Sequence, residues 1–151
     1  MSEWLIKQGW TIRETIGFTA HIGPLWTLGE GTEAIYGLEV AEIHLNRRGH
    51  LHGGMLSTLA DNSLAMAVAA AVPSRPIATV QLNIHFIGPA TLGDFIEARC
   101  AVSKATRSLV FVRGRFTVRG KVIGEADGIW KTLDAPVQPT NPDFKDAEAE
   151  V

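Results

Sequence analysis

Cysteine is scarce in this chain of 151 residues, since Cys100 is the only one. An intramolecular disulfide is therefore excluded, and a lone free thiol is typical of a reducing compartment, so we expect a cytoplasmic protein. An excess of charge of either sign is also absent. The formal net charge is −2, which argues against a nucleic-acid-binding protein. The first residues lack the basic stretch and apolar run of a signal peptide.

Several catalytic and metal-binding motifs are missing as well. There is no GxSxG segment, which opposes a serine hydrolase. His44, His50 and His52 lie close together in sequence, but without HExxH or a paired cysteine we expect neither a metal nor a cofactor. Hydrophobic residues make up 46% of the chain and charged residues 20%, as in ordinary globular proteins. This length predicts a single domain, which we place at residues 1–133.

The longest apolar segment spans residues 51–72. Asp61 lies in its middle, beside two further polar residues, and an ionised carboxylate is too costly in lipid for a membrane span. The Ala, Leu and Met content predicts a helix over about residues 55–72, ended by the two prolines of residues 73–76. Because this helix is apolar on nearly every side, other elements should surround it.

Strand patterns occupy much of the remaining chain. We predict strands at about residues 18–28, 33–45, 77–87, 94–106, 108–118 and 121–133. Residues 3–16 weakly predict a short N-terminal helix, and the three prolines of residues 134–151 predict a disordered tail. Consecutive strands joined by short turns pair antiparallel. The expected architecture is therefore α+β, with a curved antiparallel sheet wrapped round one long apolar helix.

Two features near this helix could carry chemistry. Asp61 is a poor helix former and expensive to bury, so it is either a catalytic base or nucleophile or a structural carboxylate held by neighbouring polar groups. Gly53 and Gly54 lie where the helix begins, where backbone N–H groups are unpaired and the dipole is positive. They either form an oxyanion hole that a carbonyl oxygen can approach closely or merely mark a loop.

Polar residues alternate with apolar ones along residues 77–87. Strict alternation places Thr79 and Asn83 on one face and Phe86 on the other. The polar face is either solvated or lines a channel for substrate.

One group of residues resembles the signature of PaaI-type hotdog-fold acyl-CoA thioesterases. It reads Asn46-x-x-Gly49-x-x-His52-Gly53-Gly54 and then Leu59-x-Asp61, and the likeness continues through Thr79-Val80-x-Leu82-Asn83 to Gly93-Asp94. In total it covers most of residues 17–133. The resemblance implies the hotdog fold, hydrolysis of an acyl- or aryl-CoA thioester, and a homodimer that is often paired into a homotetramer.

The resemblance also implies a role for each matching residue. Asp61 would be the catalytic carboxylate, and the N–H of Gly53 would polarise the thioester carbonyl. Thr79 takes the place of a serine that orients water in some members. Asn46 and His52 would support the loop and the side of the leaving group.

Further residues are expected to bind the substrate. Gly54, Asn83 and Phe86 would contact it, while Lys104 and Arg107 fall in a region that is basic in similar enzymes and would meet the phosphates of CoA. The main alternative is a non-catalytic hotdog protein that binds an acyl ligand. Asp61 disfavours this alternative, because binding alone does not require a carboxylate in an apolar helix.

Helical geometry predicts that the active site is shared between two chains. Gly53 and Asp61 are eight residues apart, which is about 12 Å along one helix at 1.5 Å per residue. One carbonyl cannot span that distance, so we expect Gly53 of one chain to lie near Asp61 of another in a symmetric dimer.

Overall fold

The computed structural model describes residues 2–134 and contains one long helix beside a seven-stranded sheet. In chain order the elements are α1 (Ser2–Lys7), β1 (Thr11–Arg13), α2 (Gly17–His21), β2 (Leu25–Leu28), β3 (Ile35–Glu39), α3 (Gly53–Ala71), β4 (Ile77–Phe86), β5 (Phe95–Ala105), β6 (Leu109–Val118) and β7 (Lys121–Thr132). The sheet order is β1-β2-β3-β5-β6-β7-β4, and neighbouring strands are antiparallel. The predicted α+β architecture, the long helix and the last four strands are confirmed.

The helix α3 packs one side against the sheet. Its buried residues recur in pairs every four positions, which gives one apolar stripe: Met55, Leu56, Leu59, Ala60, Ser63, Leu64, Ala67 and Val68. The pairs between them, from Ser57 to Ala70, are only half-buried. The predicted covering of this helix is confirmed for its buried side, whereas the side that carries these pairs is only partly covered, and we call it the open side of α3.

Strand β4 forms one edge of the sheet. It pairs with β7 on one side, and the structure places no strand on its other side within residues 2–134. Large apolar side chains are exposed here, with Val80 at 59% and Phe86 at 60%. An uncovered edge with exposed apolar side chains is a ready surface for pairing with another chain.

A β-bulge in β4 corrects the predicted alternation of its faces. The register with β7 shifts between Thr79 and Gln81, so one extra residue enters β4. Beyond the bulge Leu82 and Ile84 pack against the core, whereas Asn83 bonds to Asp127 on the opposite face. The prediction that Thr79 and Asn83 share a face is therefore wrong, and a bulge is invisible to a strict two-residue period.

The N-terminal predictions also need correction. The helix predicted at residues 3–16 ends at Lys7, because Gly9 adopts a φ of +88° and the chain turns into strand β1. The strand predicted at 18–28 is instead the short helix α2 followed by β2. Here Leu5, Trp10 and Trp26 form a second buried cluster. This tertiary packing outweighs the weak local preferences of the segment.

The strand predicted at residues 33–45 is shorter in the structure, since β3 ends at Glu39. A 3-10 turn at Glu42–His44 follows, and the buried His44 fixes it by accepting from the N–H of Ala41. Except for Asp134, the predicted tail lies outside the described residues. Among residues 2–134, no helix is long and apolar enough to cross a membrane.

Candidate active site

The loop before α3 is organised by Asn46. Its side-chain oxygen accepts hydrogen bonds from the N–H of Arg48 at 2.8 Å and from that of His50 at 3.3 Å. Gly49, with a φ of +74°, completes the turn by donating to the Asn46 carbonyl at 3.0 Å. Asn46 therefore builds the loop that presents the start of the helix, as the predicted supporting role requires.

His52 caps the helix. Its Nδ1 accepts from the N–H of Gly54 at 2.9 Å, and its own N–H donates to the carbonyl of His44 at 2.8 Å. The N–H of Gly53 has no acceptor among the described residues. This donor lies at the positive end of a 19-residue helix, where a developing oxyanion is stabilised.

The ring of Phe86 lies against Gly53. A Cβ added to Gly53 would sit 3.3 Å from Cε1 of Phe86, which is tighter than an ordinary contact. The absence of a side chain therefore keeps the free N–H accessible beside an exposed aromatic ring. Phe86 is thus placed where an apolar part of a substrate could contact it.

Asp61 lies on the open side of α3, next to the edge strand. It is half-buried, and its Oδ1 accepts a hydrogen bond of 2.9 Å from the hydroxyl of Thr79. Because the β4 bulge follows Thr79, this threonine faces the helix while Gln81 turns away. The burial that the apolar sequence suggested for Asp61 is only partial in the single chain.

The two halves of the site are not brought together within one chain. Gly53 and Asp61 lie on the same uninterrupted helix, so their separation along the axis is about 12 Å at 1.5 Å per residue. A carbonyl carbon and its attacking water need donor and base within about 3 Å of the reacting atoms. Within a single chain, the predicted oxyanion donor Gly53 and the predicted base Asp61 therefore cannot act on one carbonyl.

The other residues predicted to bind the substrate do not lie together in the structure. Asn83 donates to Asp127 at 3.2 Å on the face away from α3, so the structure does not place it with Thr79. Lys104 and Arg107 are exposed near the turn between β5 and β6. Arg75, which the sequence reasoning missed, donates to the carbonyl of Arg107 at 2.8 Å and joins this basic group. The position of Arg75 shortly after the C-terminal end of α3 was the sequence signal that could have identified it.

The histidines do not converge on a common centre. The Nε2 of His44 bonds to the carbonyl of Ile22 at 2.7 Å, and its Nδ1 accepts a hydrogen bond from the N–H of Ala41. Across residues 2–134, no three His, Cys, Asp or Glu side chains are grouped so that they could hold a metal ion. The prediction that the reaction uses neither metal nor cofactor stays a prediction.

Comparison with known proteins assigns this site to a family. The sequence model of the thioesterase superfamily matches residues 48–123, which include His52, Gly53, Asp61 and Thr79. The chain belongs to the thioesterase superfamily. It is accordingly a thioester hydrolase, as predicted.

Relatives of this thioesterase agree with that assignment. It is 34% identical over 99 residues to a protein of Pseudomonas aeruginosa named as an esterase, covering 65% of this chain and 74% of that protein. It is 36% identical over 90 residues to acyl-coenzyme A thioesterase 13 of Homo sapiens, covering 58% of this chain and 64% of the human protein. The chain thus spans just under two thirds of the human relative.

Solved structures show the same fold. Thioesterase superfamily member 2 of zebra fish is 30% identical, with a TM-score of 0.72, over 80% of this chain and 88% of that one. A mutant of the phenylacetic acid degradation protein PaaI from Thermus thermophilus is 22% identical, with a TM-score of 0.64, over 87% of this chain and 99% of that one. The predicted hotdog fold and PaaI-type resemblance of this thioesterase are confirmed.

Proposed function

We propose that this thioesterase hydrolyses an acyl-CoA, using Asp61 as the general base and the N–H of Gly53 as the oxyanion donor. The observation that carries the proposal is the hydrogen bond between Thr79 and Asp61, which holds a carboxylate at a half-open surface instead of in a closed structural network. The name of the human relative, an acyl-coenzyme A thioesterase, supports a CoA thioester as the substrate class.

The reaction consumes one water and releases a carboxylic acid and CoA. Asp61 removes a proton from the water as its oxygen attacks the carbonyl carbon, and the negative charge that forms on the carbonyl oxygen is stabilised by the N–H of Gly53. When the tetrahedral intermediate collapses, the C–S bond breaks and the CoA thiolate leaves, and the proton held by Asp61 returns to neutralise it. Thr79 orients both the carboxylate and the water.

Direct attack by Asp61 on the carbonyl is the other route, and it gives a mixed anhydride. The anhydride can be hydrolysed at either of its two carbonyl carbons, and attack by water on the Asp61 carbon would transfer a water oxygen to the enzyme. A single turnover in water enriched in ¹⁸O, followed by mass analysis of the peptide that contains Asp61, detects that transfer. Label in the peptide would show the anhydride route, whereas label in the acid product alone is expected for the general base and excludes attack of water on the Asp61 carbon.

We also infer that each site is shared between two chains. The open side of α3 and the uncovered edge of β4 adjoin Asp61, so a second chain packed there would cover both. Antiparallel packing of two α3 helices would bring Gly53 of one chain to Asp61 of the other.

Subunit mixing tests the shared site. One protein carries Gly53→Val, which places a branched side chain against Phe86, and the other carries Asp61→Ala. After equal mixing about half of the dimers are mixed and one of their two sites is intact, so about a quarter of the parent activity should return. No recovery, once subunit exchange has been verified by mass, would refute sharing.

The activity itself is tested with a panel of acyl- and aryl-CoA thioesters and a thiol reagent that detects released CoA. The parent should turn over at least one thioester, and Asp61→Asn should lower kcat about 10²- to 10⁴-fold, the usual contribution of a general base. Asp127→Asn is the matched control, because it removes an exposed carboxylate on the opposite face of the sheet. Binding of acyl-CoA without turnover by the parent would instead indicate a non-catalytic acyl-binding protein.

A further inference from the structure

A second cleft lies on the other margin of α3, between this helix and strands β1, β2 and β3. It has a volume of about 370 Å³, and Arg13, Thr27 and Tyr36 of the strands line it together with Met66 of the helix. A separate closed slit, too narrow to admit a water molecule, lies beside it against Asn62 and Ser63 and shares Arg13 and Tyr36 as walls. We call the larger cavity the Arg13 cleft.

Two buried hydroxyls near the Arg13 cleft have no partner among the described residues. The hydroxyl of Thr27 lies within the wall of the cleft, and that of Ser63, whose side chain is 2% exposed, lies beside the closed slit. Buried polar groups are rarely left in this state, because each loses its hydrogen bonds to water without replacement.

Arg13 places a positive charge in the cleft without an acidic side chain to pair with it. It is half-buried, and within residues 2–134 it forms no ion pair. Desolvation by burial lowers the pKa of its guanidinium, although arginine stays protonated in proteins. Glu30 lies at the exposed rim of the cleft, where it is not within ion-pair distance of Arg13. An anionic ligand group in the cleft would supply the missing charge.

The Arg13 cleft and the catalytic carboxylate lie on different sides of the helix. At about 100° per residue, Asp61 is roughly 150° round the helix axis from the direction shared by Asn62, Ser63 and Met66. A substrate carbonyl held at Asp61 therefore does not contact Arg13 in the same chain.

We propose that the Arg13 cleft is a second binding site, which takes a small aliphatic molecule through its carboxylate. Arg13 binds the carboxylate, and the methylene chain lies against Met66. The volume lies at the small end of the range found for ligand-binding pockets. The proposal does not rest on the proposed function.

Calorimetry with sodium hexanoate tests the site directly, with hexanamide as a neutral probe of the same shape. The parent should bind hexanoate at least about tenfold more tightly than hexanamide, since a charge-assisted hydrogen bond is lost with the amide. Arg13→Gln should remove this preference, whereas Lys121→Gln, which deletes an exposed cation on the β6–β7 hairpin, should leave it unchanged. Met66→Trp fills the cleft without altering charge and should also abolish binding.

Two further measurements distinguish this site from the proposed catalytic site, because the product of the proposed reaction is also a carboxylate. Asp61→Asn should leave the hexanoate Kd within about twofold, and hexanoate should not raise the KM of the parent for its thioester substrate. Failure of the parent to bind hexanoate, or equal binding by Arg13→Gln, would overturn the proposal. A competitive rise in KM that disappears in Arg13→Gln would also overturn it, because the cleft would then be part of the substrate site.

Discussion

Replacement of Thr79 by valine isolates the effect of the hydroxyl that donates to Asp61, the proposed catalytic carboxylate. Thr79→Val keeps the branched shape and removes only the donor of the 2.9 Å bond to Asp61. A hydrogen bond to a charged group contributes about 1.5–3 kcal/mol, which corresponds to about 10- to 150-fold in rate if the interaction matters in the transition state. We therefore expect kcat to fall by about that factor.

The fold should tolerate this change, because Thr79 is exposed on an edge strand and valine is a good strand former. The assay is release of CoA under saturating thioester, with denaturant midpoints measured in parallel. Thr79→Ser keeps the hydroxyl and should retain most of kcat, which distinguishes hydrogen bonding from packing. A Thr79→Val enzyme with parental kcat would refute the reasoning, and so would a Thr79→Ser enzyme impaired to the same degree.

Four other perturbations have outcomes that the structure predicts. Gly37→Ala should destabilise the fold by about 1–3 kcal/mol in urea unfolding, since the added Cβ would collide with the ring of Phe95, and an unchanged midpoint would contradict this packing. Burial raises the pKa of the Cys100 thiol to about 12, so a thiol reagent at pH 8 should label it rapidly only after unfolding. EDTA should leave activity unchanged, and loss restored by Zn²⁺ would show a metal requirement. Lys104→Ala with Arg107→Ala should raise KM for acyl-CoA, more at low salt than at high salt, and an unchanged KM would remove both from the site.

The sequence determined the candidate site residues and much of the fold through local patterns. The run of Ala, Leu and Met predicted the long helix, the four C-terminal strands followed from alternation and turn residues, and one carboxylate stood out because Asp61 interrupts an apolar helix. The spacing from Gly53 to Asp61 also predicted that one chain cannot complete the site, since the rise of a helix is fixed by its backbone.

Tertiary structure decided which side chains meet. The bulge in β4 turns Thr79 towards Asp61 and Asn83 away from it, and a strict two-residue period cannot show a single inserted residue. The N-terminal segment forms a strand and two short helices because buried contacts of Leu5, Trp10 and Trp26 outweigh its weak preferences. The Arg13 cleft exists only because three strands and a helix, distant in sequence, enclose it. Local patterns report the preference of each segment, but the pairing of distant segments depends on the surface they bury together.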